Sequence, residues 1–168
     1  VLYAVLIETG RLDAGVLDEH YNVDGSTVEL IGAEHSPGHE VTAGSLAQAI
    51  SQAAGMAMAR RLRGDTGHTW VFMSDGEFQE GQTWEAVASL AWYGLDNLTA
   101  VIDANAQQCD GAMASVGEIE PLAERLTAFG AEAIEVDGHD IESIAEAARR
   151  PRAGRPRFII GRTDPCRG

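Results

Sequence analysis

The chain has no lysine: all twelve of its basic residues are arginine. That excludes a Schiff-base lysine and a P-loop lysine from this chain. Cysteine is scarce too. Cys109 and Cys166 stand far apart with no Cys-x-x-Cys, so neither a disulfide framework nor a thiolate zinc site is expected. A reducing, cytoplasmic setting is the default expectation. No apolar run approaches the roughly 18–20 residues of a membrane span. The opening VLYAVLIETGRLD lacks the basic n-region and cleavage site of a signal peptide, and reads as a chain entered in mid-helix. Positive charge is in deficit: twelve basic against twenty-six acidic residues leave −14. That argues against a nucleic-acid backbone or an anionic membrane as partner.

What is present suits one domain with a hydrophobic core. The chain has 168 residues, 45% of them apolar, enough to bury a core and too apolar for disorder. After the opening helix, residues 20–45 carry Gly, Pro and polar side chains without a period, and read as a loop with at most a short extended piece. SLAQAISQAAGMAMARRLRG then has helical spacing over 46–63, with Ser45 placed to cap it and Gly64 to end it. Its Ala and Gly content predicts close packing against another helix.

Beyond it, strand and helix alternate. TWVFMS (69–74), LTAVIDA (98–104), AEAIEVDG (131–138) and RFIIGRT (157–163) read as buried strands. Residues 79–94, 118–130 and 140–150 read as helices, with a polar loop at 105–117 and Asp140 as a helix cap. Short connections between alternating elements predict an α/β fold, a parallel sheet with helices on both faces. Ligands in such sheets bind at the carboxyl ends of the strands. No Gly-x-Gly-x-x-Gly occurs, which counts against a dinucleotide binder of the same class.

One stretch stands out. In VFMSDGEFQEGQTWEA a strand stops on Ser74-Asp75-Gly76, with Glu77, Glu80 and Glu85 close behind. Asp-Gly alone is usually a turn. Here Asp75 falls just past the end of one strand, and Asp103-Ala104-Asn105 at the end of the next. Were the strands neighbours, Asp75 and Asn105 would present hard oxygens to one point. Gly76 would admit close approach of a ligand, and the following helix start would favour an anion. Hard oxygens without a soft ligand describe a Mg²⁺ or Ca²⁺ site bridging to a diphosphate. The five histidines form no metal spacing; His35 and His39 are separated by the helix-breaking Pro37-Gly38. Asp137-Gly138-His139-Asp140 lacks the alternating ligands of a calcium loop and reads as a strand-to-helix turn. Trp84, Trp92 and Tyr93 read as core or interface.

Asp75-Gly76 followed after twenty-eight residues by Asn105 resembles the metal and diphosphate motif of thiamine-diphosphate enzymes. SDGEFQEGQTWEA, GSLAQAISQAAGMAMARRL, IEPLAERLTAFGAEAIEVDGHD and FIIGRT extend a likeness to the amino-terminal half of transketolases, particularly those split into two subunits. The resemblance implies the diphosphate-binding domain of the thiamine-diphosphate-binding fold over residues 1–168, incomplete at both ends relative to the family. It implies Asp75, the side-chain oxygen of Asn105 and the main-chain carbonyl of Gln107 as ligands of Mg²⁺ or Ca²⁺. It implies Gly44, Leu46, Asp75, Gly76, Glu77 and Asn105 as cofactor-binding residues. Leu46 as plain core remains open. Glu80 and Glu85 are implied to network catalytically toward a glutamate on a pyrimidine-binding domain that this chain lacks; a solvated helix start is the alternative for both.

The implied activity is transfer of a two-carbon ketol unit between ketose and aldose sugars. A carboxy-terminal subunit bearing the pyrimidine-binding domain would complete the enzyme, in a heterotetramer. A non-catalytic subunit of the same fold is the alternative. Where the family usually reads Gly-x-Leu-Gly-Gln-Gly, Ala47 and Ala49 replace two glycines, and Ser74 stands where many members have Gly.

Overall fold

The computed structural model describes residues 2–29, 35–42 and 44–167. The chain divides into two compact units, Val1–Ser45 and Leu46–Gly168. The first carries helices α1 (Leu2–Glu8) and α2 (Gly15–His20), the second of which the sequence pattern does not announce. Tyr3 organises this unit: its hydroxyl donates to the Glu29 carbonyl at 2.7 Å and accepts from the Glu29 amide at 3.0 Å. Of the expected loop at 20–45, residues 21–29 and 35–42 are turns and bends without strand, while 30–34 and 43 lie outside the described residues, as does Val1.

The second unit is the α/β body. It contains α3 (Gln48–Leu62), β1 (Thr69–Ser74), a 3-10 turn (Asp75–Gln79), α4 (Gly81–Trp92) and β2 (Leu98–Ala104). A two-strand hairpin follows, β3 (Gln107–Gln108) and β4 (Gly111–Ala112), and then the short α5 (Met113–Val116). α6 (Leu122–Ala128), β5 (Glu132–Asp137), α7 (Ile141–Arg149) and β6 (Arg157–Arg162) complete it. The main sheet has the order β1-β2-β6-β5, all parallel. Side-chain alternation splits its two faces. Val71, Met73, Ala100, Ile102, Phe158 and Ile160 belong to the large core that also takes residues of α3, α4 and α6. Ile134 and Ile159 point the other way and pack with Ala147 of α7. Helices therefore cover both faces, as the alternating pattern predicts, though Trp70 and Phe72 on β1 remain exposed.

The helix ends follow their local chemistry, with one exception. Gly64, Gly94 and Gly130 each have positive φ just past a helix, at 70°, 57° and 98°, the left-handed geometry that stops a helix cheaply. Asp140 caps α7, accepting from the amides of Glu142 and Ser143. Ser45, however, does not cap α3. That helix starts at Gln48, and its N-cap is Ala47 at φ 67° and ψ 1°, with no side-chain cap. The Ala47 amide instead donates to Glu77 Oε2 at 3.2 Å, from thirty residues downstream. A tertiary contact has replaced the local cap. The helix expected at 79–94 runs from Gly81 to Trp92 as α4, with Gln79 closing the preceding 3-10 turn, and the one expected at 118–130 begins at Leu122.

Arg157, at the start of β6, is 5% exposed, and each of its three side-chain nitrogens is hydrogen-bonded. Its Nε meets Glu132 Oε2 on β5 at 2.8 Å. Its other nitrogens donate to the carbonyls of Ala147, Ala148, Arg150 and Pro151, the frayed end of α7. One guanidinium thus joins a strand pair to a helix end.

Arg157→Leu should destabilise the fold by about 3 kcal/mol, because it strands the partly buried Glu132 carboxylate and the carbonyls at the end of α7. Arg157→Lys should recover little, since a point charge cannot reproduce the fork. Urea unfolding of both variants measures this. Ala47→Gly should raise stability by about 1 kcal/mol, by relieving a left-handed conformation that Cβ disfavours.

Candidate functional site

The site begins with register. β1 and β2 pair in parallel with Ser74 opposite Asp103, so the chain leaves both strands at one level. Asp75 opens the 3-10 turn and is 3% exposed. Its Oδ2 accepts from the Ala106 amide at 2.7 Å. Its Oδ1 is buried and has no hydrogen-bond partner among the described residues. Burial pushes the Asp75 carboxyl above its ordinary pKa; the Ala106 amide pulls it back, and the Asp103 charge adds to the rise.

Asn105 lies across from it, just past β2. Its Oδ1 accepts from the Gln107 amide at 2.9 Å and its Nδ2 donates to Asp103 Oδ2 at 3.1 Å. The other oxygen of Asp103 accepts from the Thr163 hydroxyl, which follows the end of β6. The ends of three adjacent strands are therefore joined by side chains. Gln107 sits in the hairpin and is exposed. Gly76 is buried, yet a Cβ there would meet nothing closer than Gln108 Cβ at 3.7 Å and Ser74 Oγ at 3.8 Å. Nothing among the described residues demands glycine there.

Glu77 is 9% exposed, and its carboxylate serves the backbone. Oε1 accepts from the Ser74 amide at 3.1 Å and Oε2 from the Ala47 amide at 3.2 Å. Burial raises its pKa, and the same two amides oppose the rise. It clips the start of α3 to the end of β1. The turn is locked from behind: the Thr83 hydroxyl donates to the Glu77 carbonyl at 2.6 Å, and Trp84 Nε1 to the Phe78 carbonyl at 2.9 Å. Trp84 is half-buried between Phe78 and Phe129, whereas Trp92 and Tyr93 are exposed.

Glu80 and Glu85 are exposed on either side of the α4 start, and neither carboxylate meets a partner among the described residues. Glu85 lines a groove of about 270 Å³ between α3 and α4 with Ser51, Ala54, Gln82, Ala86 and Ser89. Leu46 is 56% exposed, so it is not core within this chain. Gly44 has φ 100° and belongs to the first unit. Among the described residues no group of three or more His, Cys, Asp or Glu could hold a metal ion. A cation here must draw on carboxylate, amide and main-chain oxygens, a donor set that suits Mg²⁺ or Ca²⁺. Sequence reasoning missed Asp103 and Thr163; strand-end position was the only signal for either.

Comparison with known proteins identifies the family and the fold. The family described as transketolase, thiamine diphosphate binding domain, matches residues 2–164. An uncharacterised transketolase family protein of Sinorhizobium fredii is 39% identical over 171 residues, covering 99% of this chain and 61% of that protein. One of the subunits of apulose-4-phosphate transketolase from Phocaeicola vulgatus is 37% identical over 134 residues, covering 79% and 48%. The chain thus spans under two thirds of the length of these relatives. Transketolase of Pichia stipitis, solved in complex with sedoheptulose-7-phosphate, superposes with a TM-score of 0.89 at 28% identity, over 96% of this chain and 26% of that one. With a parallel sheet, an Asp-Gly turn at its carboxyl edge and a family match across nearly its whole length, the chain belongs to the transketolase family, as a thiamine diphosphate binding domain.

Proposed function

We propose that this chain is the diphosphate-binding part of a thiamine-diphosphate-dependent transketolase that transfers a two-carbon ketol unit between ketose and aldose sugars. The observation that carries the reading is Asp75 Oδ1, a buried carboxylate oxygen with no donor among the described residues, at the edge where Asn105 also lies. Leaving such a group unsatisfied costs about 1–3 kcal/mol, more when it is charged. A divalent cation would offset that cost. Asp75, Asn105 Oδ1 and the Gln107 carbonyl would hold Mg²⁺ or Ca²⁺, and the space beside Gly76 would admit a diphosphate. Gly44 and Leu46 are the remaining cofactor contacts we assign. We assign Glu77 there as well, acting through the Ala47 and Ser74 amides that it holds.

When bound, thiamine diphosphate supplies the carbanion chemistry; this chain anchors and orients it. Glu80 and Glu85 have no partners among the described residues, and we assign them to act across an interface. Two relatives are named as subunits, one of apulose-4-phosphate transketolase and the other of 6-deoxy-6-sulfo-D-fructose transketolase. They support a partner subunit; we assign to it the pyrimidine-binding domain, and to the working assembly a heterotetramer in a cytoplasmic setting. A non-catalytic subunit is the second reading, motivated by Ala47 and Ala49. Against it, Ala47 keeps a left-handed φ of 67° and its amide bond to Glu77, so the turn survives the missing glycine.

Asp75→Ala should abolish cation-dependent binding of thiamine diphosphate by the assembled protein, and calorimetric titration with undiminished affinity would sink the assignment. The pH dependence has a definite sign. Asp75 has a raised folded pKa, so its contribution to cation-free stability is present below the unfolded value and is lost as pH rises through the folded one. Asp75→Asn should therefore stabilise the cation-free protein at neutral pH, by on the order of 1 kcal/mol. Cation affinity should fall as acid protonates Asp75 in competition with the metal.

Glu80→Ala tests the assembly. It should lower turnover of the assembled enzyme by roughly 100-fold, the low end of what positioned proton-transfer groups contribute. The stability of this chain should change by no more than about 0.5 kcal/mol, since the residue is exposed. Light scattering that finds a fully active monomer would refute the division of labour.

A further inference from the structure

We propose that Asp103 and Thr163 are positioning residues for the cation seat: together they fix the side-chain amide of Asn105 with its oxygen toward the metal. The inference rests on the cation reading of Asp75 and Asn105 and extends it to two residues on neighbouring strands.

The argument is one of donors and acceptors. An ionised carboxylate can only accept hydrogen bonds, whereas an asparagine amide has one accepting end and one donating end. Asp103 Oδ2 faces the Asn105 side chain at 3.1 Å, so the atom facing it must be Nδ2. The opposite end, Oδ1, is thereby turned away from Asp103 to where the Gln107 amide meets it at 2.9 Å. A flipped amide would present N–H to a cation. Asp103, with the Gln107 amide at the other end, removes that option.

Asp103 is itself held. Its second oxygen accepts from the Thr163 hydroxyl, while the Thr163 amide donates to the Ala104 carbonyl at 3.2 Å. Thr163 thus grips the end of β2 at both backbone and side chain. Its own place is confined by Gly138, where an added methyl would sit 2.5 Å from Thr163 Cγ2 and 3.0 Å from the Arg162 carbonyl oxygen. The chain of support runs from the turn after β5, through the end of β6, to the end of β2. Such outer contacts orient metal ligands and tune the affinity they provide.

Calorimetric titration of Ca²⁺ into the assembled protein, at saturating thiamine diphosphate, tests the proposal. Thr163→Val and Asp103→Leu should weaken the cation by roughly 10–100-fold, the usual effect of losing an outer-shell partner. Thr163→Ser, which restores the hydroxyl, should return the affinity to within about twofold of the parent. Asp103→Asn can still accept from Asn105 and should lose less than Asp103→Leu. Melting of each cation-free variant, followed by circular dichroism, identifies any that fail to fold; Thr163→Val removes only a hydroxyl at a half-buried site and carries the test if Asp103→Leu does not fold. Parent-like affinity in Thr163→Val, with loss in Asp75→Ala, would overturn the positioning role and leave the cation seat standing. Parent-like affinity in Asp75→Ala as well would overturn the seat and the positioning role together. Weakening in Thr163→Val that Thr163→Ser fails to restore would also overturn it, since bulk rather than the hydroxyl would then be responsible.

Discussion

The site depends on the parallel register of β1 and β2. Because Ser74 lies opposite Asp103, two strands that are distant in sequence release their next residues into one crevice. Parallel pairing alone would permit any offset. A shift by one residue would exchange the faces of β1 and turn Met73, which is fully buried, out to solvent. The hydrophobic requirement of the core thus sets where the polar residues fall. Asp75 and Asn105 meet at one edge because Val71, Met73, Ala100 and Ile102 must share one face.

Buried charge is handled in two opposite ways. Arg157 is enclosed with a donor directed at every acceptor in reach, and it fastens β5, β6 and the end of α7. Glu77 is similarly satisfied by two backbone amides. Asp75 keeps one oxygen without a partner, in a place where burial already disfavours its ionised form. The contrast within one small body separates structural charges from a candidate binding group. An unsatisfied acid persists where something outside the chain can use it, and natural folds concentrate such departures at functional positions.

Much of this was readable without coordinates. All four strands of the main sheet, and α4, α6 and α7 among the helices between them, follow from apolar runs and helical spacing, because burial on both faces of a parallel sheet leaves a clear pattern. The short α5 falls inside the stretch that reads as a polar loop. Gly64 and Asp140 mark helix ends through local chemistry alone, a left-handed stop and a side-chain cap. The hairpin Gln107–Ala112 was not readable. Its strands are two residues each and carry no apolar alternation. The true start of α3 was hidden for a different reason: its capping acceptor, Glu77, is remote in sequence. Ser45 had the right chemistry and the wrong location.

By itself the sequence determined the order of elements, the acidic surface, the absence of lysine chemistry and the presence of hard-oxygen residues just past two strand ends. Those are local or compositional properties, carried by side-chain period and residue type. The tertiary structure alone decided which strands are neighbours, that Glu77 bonds back to Ala47, and that Asp103 is shared between Asn105 and Thr163. It also decided that Asp75 retains one buried oxygen without a partner among the described residues. Each of these joins residues separated by chain but close in space, and hydrogen-bond satisfaction at such contacts depends on ångström-scale geometry that no pattern along a single chain encodes.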